Sequence, residues 1–87
     1  MKNVSDNASI GSNVVIGEDS VIGAGAVLHA NVVVGENVTI GENAVIHANV
    51  VIGDHATIGE SAVIHANITI GENVIIEEGS DIKQDII

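Results

Sequence analysis

From Val4 to Ile82 every sixth residue is Ile, Leu or Val, fourteen positions in succession without a break. Cut at that spacing, the chain reads VSDNAS, IGSNVV, IGEDSV, IGAGAV, LHANVV, VGENVT, IGENAV, IHANVV, IGDHAT, IGESAV, IHANIT, IGENVI, IEEGSD, IKQDII. A period of six matches no helical face, on which apolar residues recur at three, four and seven. Six is a multiple of two, so a short strand and a fixed corner can repeat with the same residues always pointing inward. The chain reads as one repeated element, and short periods of this kind signal a parallel β-helix.

Each column of the repeat has a task. Position one is a large aliphatic and position five is Ala, Val, Ser or Ile throughout; one residue separates them across the hexad boundary, so both point inward and position six faces out. Position two is mostly Gly. Position four is Asn, Asp, Gly, His or Ser throughout, mostly the side chains that best tolerate the positive φ of a tight corner. One hexad is then one strand and one corner, and three hexads close a triangular turn. Fourteen hexads predict about 4.7 turns, a stack about 22 Å tall at a strand spacing of ~4.8 Å.

These columns resemble the hexapeptide-repeat transferases, whose repeat runs aliphatic, Gly, two variable residues, a small residue and one more, as in IGENAV and IGESAV. The resemblance covers residues 4–87 and implies an all-β fold, a left-handed parallel β-helix, against the usual right-handed crossover preference. It also implies a homotrimer and acyl-CoA-dependent transfer, with gamma-class carbonic anhydrases as metal-binding relatives. Function in such a scaffold lies in features grafted on the repeat.

The 87 residues leave room for one domain, 1–87, with no linker and no loop insertion. As an ordinary globule it would be marginal, but a solenoid gains the same stacked contacts with every turn. The absence of aromatic residues and a net charge of −10 argue against nucleic acid and anionic membranes as partners. Without Cys there is no disulfide and no thiol nucleophile. The N-terminal residues lack the apolar run of a signal peptide, and no stretch approaches a membrane span, so a cytoplasmic location is expected.

The three corners differ in chemistry. Two are acidic: one runs Gly17 to Asp19, Gly35 to Asn37, Gly53 to His55 and Gly71 to Asn73, the other Gly23 to Gly25, Gly41 to Asn43, Gly59 to Ser61 and Glu77 to Gly79. The third reads Gly-Ser-Asn, then His-Ala-Asn three times, then Lys-Gln-Asp, and carries no carboxylate before Asp85. Outward Val residues flank it: Val27, Val45 and Val63 before the corner, Val15, Val33 and Val51 after it. The face between the acidic corners is more polar, with Val21, Thr39, Thr57 and Ile75. A neutral edge between two Val ladders predicts a contact surface, formed by Val15, Val27, His29, Asn31, Val33, Val45, His47, Asn49, Val51, Val63, His65 and Asn67. A prism with one such edge closes around a three-fold axis, so the expected partner is the chain itself, as a homotrimer that Val45→Glu should break.

His29, His47 and His65 lie eighteen residues apart and form one ladder at this corner. They suit an interface role, hydrogen-bonded or stacked. Alternatively, three symmetry-related imidazoles of one layer would make a His₃ set for Zn²⁺ or Ni²⁺. A third reading makes one of them the general base of an acyl-CoA-dependent acetyl- or acyltransferase. The coils carry no aromatic residue and few basic groups to hold an acyl donor's phosphates, so the sequence favours a structural, self-assembling module without complete catalytic equipment and without a cofactor.

His55 stands where Asn is usual and reads as a corner residue. Thr39 and Thr57 make a short array of the kind found in ice-binding β-helices. Gly23-Ala24-Gly25 precedes no helix and so lacks the N-terminal amides of a phosphate loop. Glu18, Glu36, Asp54 and Glu72 read as a solvated acidic edge. The uninterrupted regularity reads as an engineered or minimal scaffold, or the coil portion of a larger enzyme.

Overall fold

The computed structural model describes residues 3–87, in which fourteen two-residue strands form three parallel sheets. The first sheet holds β1 (Asn3–Val4), β4 (Val21–Ile22), β7 (Thr39–Ile40), β10 (Thr57–Ile58) and β13 (Ile75–Ile76). The second holds β2 (Ser9–Ile10), β5 (Val27–Leu28), β8 (Val45–Ile46), β11 (Val63–Ile64) and β14 (Asp81–Ile82). The third holds β3 (Val15–Ile16), β6 (Val33–Val34), β9 (Val51–Ile52) and β12 (Thr69–Ile70), with Ile86 bridged to Ile70. Each strand pairs with the one three hexads along, so Leu28 stands opposite Ile46 and Ile46 opposite Ile64. The product is a left-handed parallel β-helix without interruption.

Strands stay short because a left-handed residue intervenes in every coil. Positive φ occurs at Asn13, Asp19, Asn31, Asn37, Asn43, Asn49, His55, Ser61, Asn67 and Asn73, and at Gly25 and Gly79. Asn7 and Asp85, in the first and last hexads, do not share it. Position two is mostly Gly for a different reason, although Ser5, His29, His47, His65, Glu77 and Lys83 also stand in that column. A Cβ on Gly41 would lie 2.7 Å from the backbone N of Glu60 in the next coil, so any side chain there meets main chain rather than space.

The core is one column of large aliphatics, from Ile22 and Leu28 to Ile64 and Ile70, interleaved with position five. Position five is tuned to its corner. Between the first and second sheets a β-turn closes on itself, with the N–H of Ala26, Ala44 and Ala62 donating to the carbonyls of Gly23, Gly41 and Gly59 at 3.3–3.4 Å. Among the described residues such bonds occur at this corner alone, and its buried residue is Ala. Between the second and third sheets the same place takes Val32, Val50 and Ile68. Ser20 is the buried polar exception; its hydroxyl donates to the Gly35 carbonyl at 2.8 Å and accepts from the Val38 N–H at 3.1 Å. Val4 and Ile10 point inward as expected yet remain exposed, because their strands are sheet edges.

Candidate functional site

The corner from the second sheet to the third carries His29-Ala30-Asn31, His47-Ala48-Asn49 and His65-Ala66-Asn67. Asn31, Asn49 and Asn67 turn the chain with φ of 65°, 64° and 66°. The backbone ladder continues through the turn. His29, His47 and His65 donate their N–H to the carbonyls of Ile46, Ile64 and Ile82 at 2.9, 2.9 and 3.0 Å, and Asn49 donates to Ala30 at 3.1 Å. Locked at the coil spacing, the imidazoles stack: ring centres are 5.0 Å apart with planes at 3° for His29 and His47, and 5.6 Å at 18° for His47 and His65. His29 is exposed, while His47 and His65 are half-buried.

These rings occupy position two, the column that is mostly Gly at the other corners. Even here Gly11 has little room, since an added Cβ would come within 2.9 Å of the Ala30 N. Coil packing therefore does not call for imidazoles.

The two Val columns beside the ridge are not equivalent. Val15, Val33 and Val51 on the third sheet are 57%, 39% and 42% exposed, whereas Val27, Val45 and Val63 on the second are half-buried. Polar residues bound the patch: Ser9 and Asp81 close the second sheet's outward column, and Thr69 ends the third's. His47 sits at its centre. The sequence places Asn31, Asn49 and Asn67 on the same ridge, and there they stand exposed.

One neighbour of the ladder escaped the column reading. Asp81, from the outward column of β14, brings its Oδ1 to 2.6 Å from His65 Nε2 and so accepts the imidazole N–H. Its Oδ2 lies 3.8 Å from Lys83 Nζ. The corner itself carries no carboxylate before Asp85, as the sequence reads, but a strand residue supplies one to His65. The signal was a spacing of 16 rather than 18, which sets the outward residue of one coil beside the corner of the coil before it.

Among the described residues no three His, Asp or Glu side chains are grouped to hold a metal ion. Within one chain the rings stand with centres 5.0 and 5.6 Å apart, too far for neighbours to share one zinc ion with nitrogen donors at about 2.0–2.1 Å; the His₃ set expected from the sequence would instead take one imidazole of the same layer from each of three chains. His55 turns the corner between the third and first sheets with φ 66°, the geometric role its column implies. Thr39 and Thr57 stand in register on the first sheet. No described helix is long and apolar enough to cross a membrane.

The profile of the bacterial transferase hexapeptide family (six repeats) matches residues 3–35, 19–54, 31–66 and 49–84. No curated protein sequence matches the chain. Among solved structures, a hexapeptide transferase family protein from Anaplasma phagocytophilum superposes with a TM-score of 0.65 at 22% identity, over 99% of this chain and 68% of that one. UDP-N-acetylglucosamine acyltransferase from Campylobacter jejuni gives 0.68 at 20%, over 99% and 60%. The acetyltransferase domain of PglB from Neisseria gonorrhoeae, in complex with acetyl coenzyme A, gives 0.51 at 29%, over 98% and 47%. The chain thus spans about half to two thirds of these proteins.

Proposed function

The chain belongs to the bacterial transferase hexapeptide family, and from that premise we propose that it is a self-assembling β-helical framework, three copies packing through the His-Ala-Asn ridge. The observation that carries this reading is the patch centred on His47, apolar on both flanks and free of carboxylates until Asp81 reaches His65 at its end. Each chain carries a net charge of −10, and ladders of acids line the other two corners. Copies approaching through those corners meet like charge, while copies approaching through the ridge meet Val and neutral imidazole or carboxamide. The contact surface consists of the residues the sequence singles out. The number three is what the likeness to the hexapeptide-repeat transferases implies, and a closed ring of copies leaves no contact open.

Sedimentation equilibrium of the full chain at pH 8 tests this. A mass three times that of one chain is expected; a monomer at tens of micromolar would sink the reading.

The His65–Asp81 contact favours a second reading, acyl transfer. With Nε2–H held by the carboxylate, Nδ1 keeps the lone pair and can take a proton from a hydroxyl or amine as it attacks a thioester carbonyl. The likeness to the acetyl coenzyme A complex bears on the same reading. Calorimetric titration with acetyl coenzyme A separates the two, since saturable binding would support the transferase and its absence the framework, and a transfer activity lost in His65→Ala with binding retained would assign the base.

A further inference from the structure

We propose that the imidazole ladder makes assembly pH-dependent, holding copies together when neutral and driving them apart when protonated. This rests on the framework reading and adds regulation to the same surface. The geometry is a column of three parallel rings, 5.0 and 5.6 Å between centres, in the middle of an apolar patch. A proton on His47 has an imidazole on each side of it. A proton on His29 has His47 above and no carboxylate partner among the described residues. In a closed trimer the same column from two further copies faces each of these charges.

The surroundings offer little compensation. On the second sheet's outward column the only titratable group is Asp81, which already accepts from His65. At the corner itself the others are Lys83 and Asp85 of the last coil, and Asp85 Oδ1 accepts the Thr69 N–H at 2.9 Å. The third sheet's outward column has none. The remaining acids lie at the far edges of the two sheets: Asp6, Glu42, Glu60, Glu77 and Glu78 on one side, Glu18, Asp19, Glu36, Asp54 and Glu72, with His55, on the other. His65 therefore has a counter-charge, and His29 and His47 carry the effect.

Protons bind more readily to separated copies than to a trimer that would bury them beside each other and beside Val. By linkage, acid favours separation. Each proton excluded on assembly lowers the association constant tenfold per pH unit within the titrating range; one per chain gives about a thousandfold per unit for the trimer. Partial protonation of the acidic corners in the same range reduces the negative charge and pushes the other way, so loss of the trimer on acidification would identify the imidazoles.

Sedimentation of the full chain at pH 8 and pH 5, at one ionic strength and with β-structure followed by circular dichroism, tests the idea beside His29→Gln/His47→Gln and the single His47→Gln. The expected result is a wild-type trimer at pH 8 that separates into folded monomers at pH 5, with the double variant trimeric at both. A wild-type trimer persisting at pH 5 overturns the inference and leaves the framework reading intact. A double variant that still separates overturns it too, and a wild-type monomer at pH 8 removes both. If the double variant does not fold, an acid response in His47→Gln as large as the wild type's overturns the role assigned to the ladder, and a weaker one supports it.

Discussion

Replacing Val51 by Glu puts a charge at the most informative point of the surface. Val51 lies outward on β9, 42% exposed, in register with Val33 and Thr69, neither of which repels a carboxylate. In an isolated chain the change costs only the difference in strand preference, within about 1 kcal/mol. Val45 is less discriminating, because it is half-buried in its own coil and Glu there strains the fold as well. Should the ridge be covered by other copies, the exposed two fifths of Val51 contribute roughly 0.6–1.2 kcal/mol per chain, taking about 1.5–3 kcal/mol for full burial of a Val. The larger effect is an unpaired carboxylate in a dry interface, several kcal/mol. Together these come to about 4 kcal/mol per chain, roughly a thousandfold in association for every chain added. Sedimentation equilibrium at micromolar concentration should show the wild type as trimer and Val51→Glu as a monomer with unchanged circular dichroism. Thr57→Glu, on the first sheet between the acidic corners, should retain the trimer. A Val51→Glu trimer as tight as the wild type would refute the placement, and equal dissociation of both variants would assign the effect to net charge.

Two further predictions concern the coil itself. Ile46→Ala, at a fully buried position whose strand neighbours Leu28 and Ile64 are pinned by the ladder, should lower unfolding free energy by about 2–5 kcal/mol in denaturant titration, because hydrogen-bonded coils cannot collapse into the void. Asn49 holds φ of 64°, so Asn49→Ala should destabilise by about 1–2 kcal/mol while Asn49→Gly stays close to the wild type in thermal melts; equal losses would mean the carboxamide, not the backbone angle, is what the corner needs.

Much of this architecture is legible in the hexad columns, because each column answers to one local demand. Ile46 is inward since position one always is, and Asn49 turns left since position four holds the corner's left-handed residue. Ser61 shows the limit of that logic, adopting φ of 60° despite a side chain with little preference for it; the ladder above and below imposes the angle. The His column was visible as a spacing of eighteen, and its stacking follows from in-register pairing. What the columns hide are contacts that run diagonally. Asp81 meets His65 across two columns and one coil, and the unequal burial of Val45 and Val51 separates two residues that the repeat places in the same outward column. Handedness too is invisible in a period, which is the same for a coil and its mirror image; it came from the family resemblance.

The strict three-hexad register has a consequence for how such a chain can change in length. Gaining or losing a whole coil, a duplication of residues 27–44 for instance, lengthens the prism and leaves every later side chain on its original face. A single added hexad before Val45 shifts the phase by a third of a turn, carrying His47 and His65 to an acidic edge and delivering Glu60, Glu77 and Glu78 to the ridge corner in their place. Both chains would keep an intact core. Only the first would keep a continuous ridge.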